Sequence, residues 1–273
     1  MNVKHVNTRN IITKTKLPSA DYTVNPYIGC THGCVYCYAE FMARFSGHND
    51  EKWCNFLDVK ENYDFPTDKF QDKTILIGSA TDPYNHFEKQ FEKTRSILLH
   101  LTDSLAHIEI LTKSPIVLRD IDILSRMKNI AVGFSLSVSD EIARITEPAA
   151  PLPSERIEAM RVLHSAGIRV FAFISPVFPL FSDYQAIVKS VEKYAAYIGF
   201  ENLNLRGGFR SRVFALVKEH FPQIFQRFIS IYYSKQAFYK YWHTQEREIH
   251  EFMQTMKNLP YKMQFFHGDA KKK

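Results

Sequence analysis

The sequence predicts an α/β protein: an open, partial (β/α)6 TIM-type barrel with a helical C-terminal extension. Two observations carry this. Short apolar runs of strand length alternate with stretches of helical periodicity along most of the chain. The apolar runs are continuous, as strands buried on both faces require, and the units are too few for a closed eight-stranded barrel.

A first strand is expected just before Cys30. Residues 73–78 read as the second strand, and Phe87, Phe91, Thr94, Leu98, Leu101 and Leu105 recur behind it at helical spacing. Residues 107–111 make the third strand, ending at Thr112-Lys113-Ser114-Pro115. Leu118, Ile121 and Leu124 form a helical stripe before the fourth strand, residues 130–136. The next helix is expected to start from Ser154 as N-cap and to close at Gly167. Residues 168–174 give the fifth strand. Ile187, Val191, Tyr194 and Ile198 mark one more helix, and residues 201–205 the sixth strand. The expected organisation is a core over residues 1–207, with a helical, basic and aromatic extension over 208–273 packed on it as one structural unit. Lys271, Lys272 and Lys273 read as a solvated tail. Ligands of such folds bind at the carboxyl ends of the strands, and here those ends are polar.

Hydrophobic residues make up 45% of the 273, enough to bury a core, and 14% aromatic content argues against disorder. No apolar run approaches the ~20 residues of a membrane helix. The first residues are polar and lack a signal core, so a cytoplasmic protein is expected. The net charge of +6 favours polyanions such as nucleic acid by long-range attraction.

Three of the four cysteines, Cys30, Cys34 and Cys37, fall within eight residues at C-x3-C-x2-C spacing. Clustering of this kind is unlike a disulfide framework. Three close thiolates can hold three irons of a cubane and leave the fourth open to an amino and a carboxylate group. Gly29 and Gly33 suit a loop wrapped tightly round such a group. Zinc is the competing reading; it needs a fourth ligand, for which His32, His48 and Cys54 are available.

The motif, the aromatic Tyr36 before its last cysteine, and its place after the first strand resemble the radical S-adenosylmethionine (SAM) superfamily. Within it the chain resembles the spore photoproduct lyase group and its small uncharacterised relatives. The segments carrying this are Asn25-Pro26-Tyr27, Tyr38, Thr81-Asp82-Pro83-Tyr84, Thr112-Lys113-Ser114, Ser135-Leu136-Ser137, Glu147-Pro148 and Ser175-Pro176-Val177-Phe178-Pro179.

The resemblance implies a [4Fe–4S] cluster on Cys30, Cys34 and Cys37 and reductive cleavage of SAM to a 5′-deoxyadenosyl radical that abstracts hydrogen from a substrate. It places Gly78, Ser79, Ala80, Thr81 and Asp82 at the methionyl amino group. Lys113 and Ser135 fall at the SAM carboxylate or ribose, with Ser137 the alternative ribose contact. Tyr38 is expected beside the cluster or adenine, and Glu147 as a bracket at a turn. Tyr84 faces either substrate or core. Arg206 and Arg210 are candidates for an anionic substrate. An electron donor such as flavodoxin or ferredoxin is implied as partner. One departure stands out: Ser79 occupies the place where the lyases carry a hydrogen-donating cysteine. Cys54 is the remaining thiol, either a substitute donor or, the reading favoured here, a small buried hydrophobe. The expected enzyme is of lyase or oxidoreductase type. Its substrate is a nucleic acid or, given Ser79, a peptide or small metabolite. The non-enzymatic alternative is a zinc- or cluster-containing nucleic-acid-binding protein.

Overall fold

The structure is a computed structural model and describes residues 1–61 and 65–267. The lysines 271–273 lie outside the described residues. The chain opens with β1 (Asn2–Asn7), β2 (Ile12–Lys14), β3 (Tyr22–Val24) and β4 (Tyr27–Ile28). The cysteine loop and a 3-10 helix, Tyr38–Phe45, lead to β5 (Phe56–Glu61) and β6 (Thr74–Ile77). Next come α1 (Glu88–Phe91), α2 (Lys93–Leu101), β7 (His107–Thr112), α3 (Ile121–Leu124) and β8 (Ile130–Ser135). They are followed by α4 (Asp140–Thr146), α5 (Pro153–Ser165), β9 (Arg169–Val177), α6 (Tyr184–Val191) and β10 (Ala195–Asn202). The chain then runs through α7 (Arg210–His220), α8 (Phe225–Ile231), α9 (Lys235–Thr255) and β11 (Tyr261–Met263).

The main sheet has the order β11-β10-β9-β8-β7-β6-β3-β2. Every neighbouring pair from β3 to β11 is parallel, and only β2 runs antiparallel, on β3. This is the open partial barrel that the alternating runs predict, with helices in the crossovers. A smaller sheet, β1-β5-β4, stands beside the cysteine loop.

Several boundaries differ from expectation, each for a local reason. The helix over 87–105 is two pieces, because Glu92 takes a left-handed conformation at φ 50° between them. Ser154 is not the cap of α5. That helix starts at Pro153 after Leu152, whose N–H is taken by Glu155, while Ser154 donates its hydroxyl to Asp140. Gly167 does close it, at φ +78°. Helix α6 stops at Val191, so Tyr194 lies in a turn and Ile198 in β10, which begins six residues earlier than the expected 201–205 strand. The C-terminal region is not purely helical either, since β11 returns to pair with β10.

Two glycines govern how the strands pack. Gly133 on β8 is in register with Phe171 on β9, and Gly199 on β10 with Phe173. Each ring lies where a side chain would be. A Cβ on Gly133 would come within 2.1 Å of the Phe171 ring, and one on Gly199 within 2.5 Å of the Phe173 ring. Phe171 also stacks on Tyr197 at 4.5 Å, and the Tyr197 hydroxyl donates to Glu109 at 3.0 Å. These rings fill the sheet face below the strand ends and leave a cavity bordered by Leu76, Phe173, Lys262 and Gln264. Overpacking at such a point costs roughly 1–3 kcal/mol. Gly133→Ala is therefore expected to lower the unfolding free energy by about that amount, and the loss should shrink in a Phe171→Leu background. An equal loss in both backgrounds, measured by urea denaturation, would show that the ring contact is not its cause.

Candidate active site

The cysteine loop is pinned from several sides. Cys30 N–H donates to Trp53 O at 3.4 Å, Val35 N–H to Thr146 O at 2.9 Å, and Ala149 N–H to His32 O at 3.1 Å. Thr81 donates its hydroxyl to Gly29 O at 2.5 Å. Gly29 has φ +91°, and a Cβ there would sit 2.3 Å from Phe56 O, so only glycine lets the loop pass.

Cys30, Cys34 and Cys37 are free and partly buried. They are electrostatic neighbours, and burial above all pushes each thiol up to about 12. Asp82 and then Cys37 add to the rise at Cys30, while Lys113 opposes it at Cys34. Desolvated thiols grouped in this way lose their protons to a strongly bound cation. Among the described residues, the three metal-ligating side chains whose ligand atoms lie within 4.8 Å of one another are His243, Glu246 and His267, so the cysteine sulfurs are spread wider. One zinc would draw its thiolates to within about 4 Å. Three grouped thiols suit three corners of a cubane cluster.

The histidines suggested for zinc have other roles. His48 contacts Glu51 at 2.7 Å and Asp58 at 3.0 Å and stacks on Phe56. His32 lies 3.4 Å from Asp82, and burial pushes it down to about 4, so it is neutral near pH 7.

The strand ends face this loop. After β6, Gly78 turns at φ +96°, where a Cβ would meet Leu111 O at 2.5 Å. Asn25, following β3, holds the next residues: its amide donates to Ser79 Oγ at 2.9 Å, and its oxygen accepts Ala80 N–H at 2.9 Å and Thr81 N–H at 3.4 Å. Tyr38 donates its hydroxyl to Ser79 O. Asp82 is occupied by neighbours. Its carboxylate accepts Tyr84 N–H at 2.9 Å, Thr112 Oγ1–H at 2.7 Å and Lys113 N–H at 2.7 Å, which brackets the ends of β6 and β7. Gly78, Ser79, Ala80 and Thr81 thus offer a shaped backbone, while the Asp82 side chain holds that shape.

Lys113 Nζ donates to Ser135 Oγ at 3.0 Å and stands 5.7 Å from the Tyr36 ring centre. Ser135 and Ser137 both donate to Ser175 O, at 3.2 and 2.8 Å, and Ser175 donates its hydroxyl to Glu201. Burial raises the Glu201 carboxyl above its ordinary value, and the Ser175 hydroxyl only partly offsets it. Behind the cysteines, Tyr36 donates to Glu147, and Glu147 pairs with Arg156, both ions fully buried. Burial would raise Glu147, but Arg156 and then Lys113 outweigh it and hold the carboxyl below its ordinary value.

The remaining candidates fall elsewhere. Tyr84 is fully buried and donates its hydroxyl to Asp120 at 3.0 Å, so it belongs to the core and not to substrate. Arg210 donates to Tyr232 O at 3.2 Å and covers the Phe214 ring, which commits it to the helical extension. Arg206 is exposed. Cys54 is partly buried with its Sγ 3.9 Å from where a Gly33 Cβ would lie, so it packs on the cysteine loop. Sequence reasoning missed Glu201, the one charged residue near the end of an otherwise apolar run, because the strand boundary was misplaced. It also missed Arg156, which no local pattern separates from a surface arginine.

The radical SAM superfamily model matches residues 24–191. The chain belongs to the radical SAM superfamily. An uncharacterized protein of Methanocaldococcus jannaschii is 37% identical over 232 residues, covering 84% of this chain and 86% of that one. One of Mycobacterium tuberculosis is 26% identical over 227 residues, covering 77% and 67%. The fold is similar to spore photoproduct lyase complexed with dinucleoside spore photoproduct, with a TM-score of 0.59 and 15% identity over 81% of this chain and 66% of that chain. As a radical SAM protein the chain is an enzyme, and its cofactors are a [4Fe–4S] cluster and SAM. No helix among the described residues is long and apolar enough to cross a membrane.

Two outcomes follow for this radical SAM enzyme. Glu147→Gln leaves Arg156 as a buried, unpaired cation and is expected to cost about 3–5 kcal/mol of stability, read by chemical denaturation. In the cluster-free chain, the three thiols hold their protons up to about 12 when folded, against the ordinary 9.0. Their contribution is therefore complete below about 9 and is lost as pH rises toward 12. Stability should fall between pH 8 and pH 10.5, and less steeply in Cys34→Ala; a pH-independent stability would contradict the burial argument.

Proposed function

We propose that Cys30, Cys34 and Cys37 hold the cluster, that SAM lies along the carboxyl ends of β6 to β10, and that the substrate is a nucleic acid. The observation that carries this reading is the convergence of the Tyr38–Ser79, Lys113–Ser135 and Ser137–Ser175–Glu201 contacts on one loop of desolvated thiols. When bound, cluster and SAM supply a 5′-deoxyadenosyl radical able to abstract hydrogen from an unactivated C–H bond. The chain's own residues bind and orient. The backbone of residues 78–81 is shaped to receive an ammonium group. Lys113 supplies a cation for a carboxylate. The rings under the strand ends limit water at the site. The cofactors take their electron from a reductant such as flavodoxin or ferredoxin.

The nucleic-acid reading rests on the dinucleoside bound by the lyase of similar fold, on the net charge of +6, and on exposed Arg206 after β10. One observation favours a peptide or small metabolite instead. Ser79 accepts a hydrogen bond from Asn25 and has no thiol hydrogen to return to a product radical.

The test is anaerobic. Reconstituted, reduced protein given SAM should yield 5′-deoxyadenosine by mass spectrometry, and Cys34→Ala should abolish it. Lys113→Ala should raise the KM for SAM by roughly tenfold or more, as expected for loss of a hydrogen bond to a charged group. Ultraviolet-irradiated and native DNA should raise turnover or become modified if the substrate is nucleic acid. A confirmed, reducible cluster that leaves SAM intact with every substrate class would sink the proposal.

A further inference from the structure

Far from the cysteines in sequence, the chain gathers a second set of metal-ligating side chains. His243 and Glu246 stand one turn apart on α9, and His267 follows β11. Their ligand atoms all lie within 4.8 Å of one another. Glu246 sits between the two rings, with one carboxylate oxygen 3.2 Å from His243 Nδ1 and the other 3.0 Å from His267 Nε2. The imidazoles are nearly parallel, 4.7 Å apart, and Tyr239 meets the His243 ring edge-on at 4.1 Å.

The arrangement is held in place before any ion arrives. Asn202, at the end of β10, donates to Phe266 O at 3.0 Å and accepts Phe266 N–H at 2.8 Å. Gln264 N–H donates to Phe200 O at 2.8 Å, and Phe265 packs edge-on to Trp242 of α9. His267 is thus delivered to α9 by fixed backbone on either side of its neighbour. Its ring is only half satisfied: Nδ1 is buried and has no hydrogen-bond partner among the described residues.

We infer that His243, Glu246 and His267 form a binding site for a divalent zinc-class cation, which clamps the segment after β11 to α9. Two borderline imidazole donors beside one carboxylate suit zinc or cobalt and not the all-oxygen shells of calcium or magnesium. Three protein ligands leave a coordination position for water. The clamp closes beside the end of β10, where Asn202 follows Glu201, so an ion here fixes the chain along one edge of the candidate active site. The site forms whatever occupies the cysteines.

The experiment uses holoprotein with its cluster in place, titrated with zinc and, separately, with cobalt(II). One equivalent of zinc should bind and raise Tm. The cobalt form should show d–d bands without thiolate-to-metal charge transfer. His243→Ala, and Glu246→Gln as a milder change on the same helix face, should each weaken zinc binding by more than the roughly 10–100-fold typical of altering a ligand's outer partner. Both should leave iron and sulfide content unchanged. Zinc uptake equal in wild type and variants, or a cobalt spectrum with thiolate bands, would overturn the site.

Discussion

Glu147 and Arg156 form a fully buried ion pair, and the candidate active site is built around it. Taking two charges out of water is expensive, and their attraction offsets this only if the remaining hydrogen-bonding groups are also satisfied. Here they are. Arg156 donates further to Ser135 O and to Pro151 O, each at 2.8 Å, and Glu147 takes the Tyr36 hydroxyl. One pair therefore ties together the cysteine loop, the end of β8 and the turn between α4 and α5. It also sets the field. Arg156 and Lys113 both act on Cys34, in the direction that favours thiolate. If the cysteines hold the cluster as proposed, its three thiolates make an anionic group, and Arg156 and Lys113 supply counter-charge beside Cys34.

Asp82 does for the strand ends what the ion pair does for the loop. Because its carboxylate accepts from Tyr84, Thr112 and Lys113, the turn after β6 cannot move independently of the end of β7. Asn25 adds the end of β3 to the same unit. Backbone groups aimed at a small molecule gain selectivity from such fixed geometry. Side chains that look like ligands in the sequence can therefore serve better as brackets.

What was legible in the sequence follows from range. Strands β6, β8 and β9 read clearly as largely apolar runs, and β7 does so despite Glu109; residues just after them read as site residues because a parallel sheet brings its carboxyl ends together. Cys30, Cys34 and Cys37 needed only local spacing. Strand β10 read poorly because Tyr197, Gly199 and Glu201 interrupt its apolar character, while Tyr194 and Ile198 happen to extend the helical period of α6. Strand β11 is three residues long, too short for a period to register. Arg156 acquires its role from Glu147, 9 residues away, and Ser175 and Glu201 acquire theirs from each other across 26 residues. Tyr84 could not be assigned between core and substrate until the fold placed Asp120 against its hydroxyl.

The C-terminal region is bound to the site from two directions. Through β11 it extends the sheet beside β10, whose end carries Glu201. Through α7 it reaches the cysteine loop, where Arg212 donates to Glu40 at 2.5 Å and to Val35 O at 3.4 Å. The ion pair is half-exposed and by itself worth little. Its placement matters more than its energy, because Glu40 lies in the 3-10 helix that directly follows Cys37. Gly208 passes so close that a Cβ would meet Glu40 Oε1 at 3.2 Å. Helices that touch the cysteine loop at one end and return a strand to β10 at the other cannot shift without disturbing both the loop and β10. The extension is therefore mechanically coupled to the candidate site, although it contributes none of the cysteines.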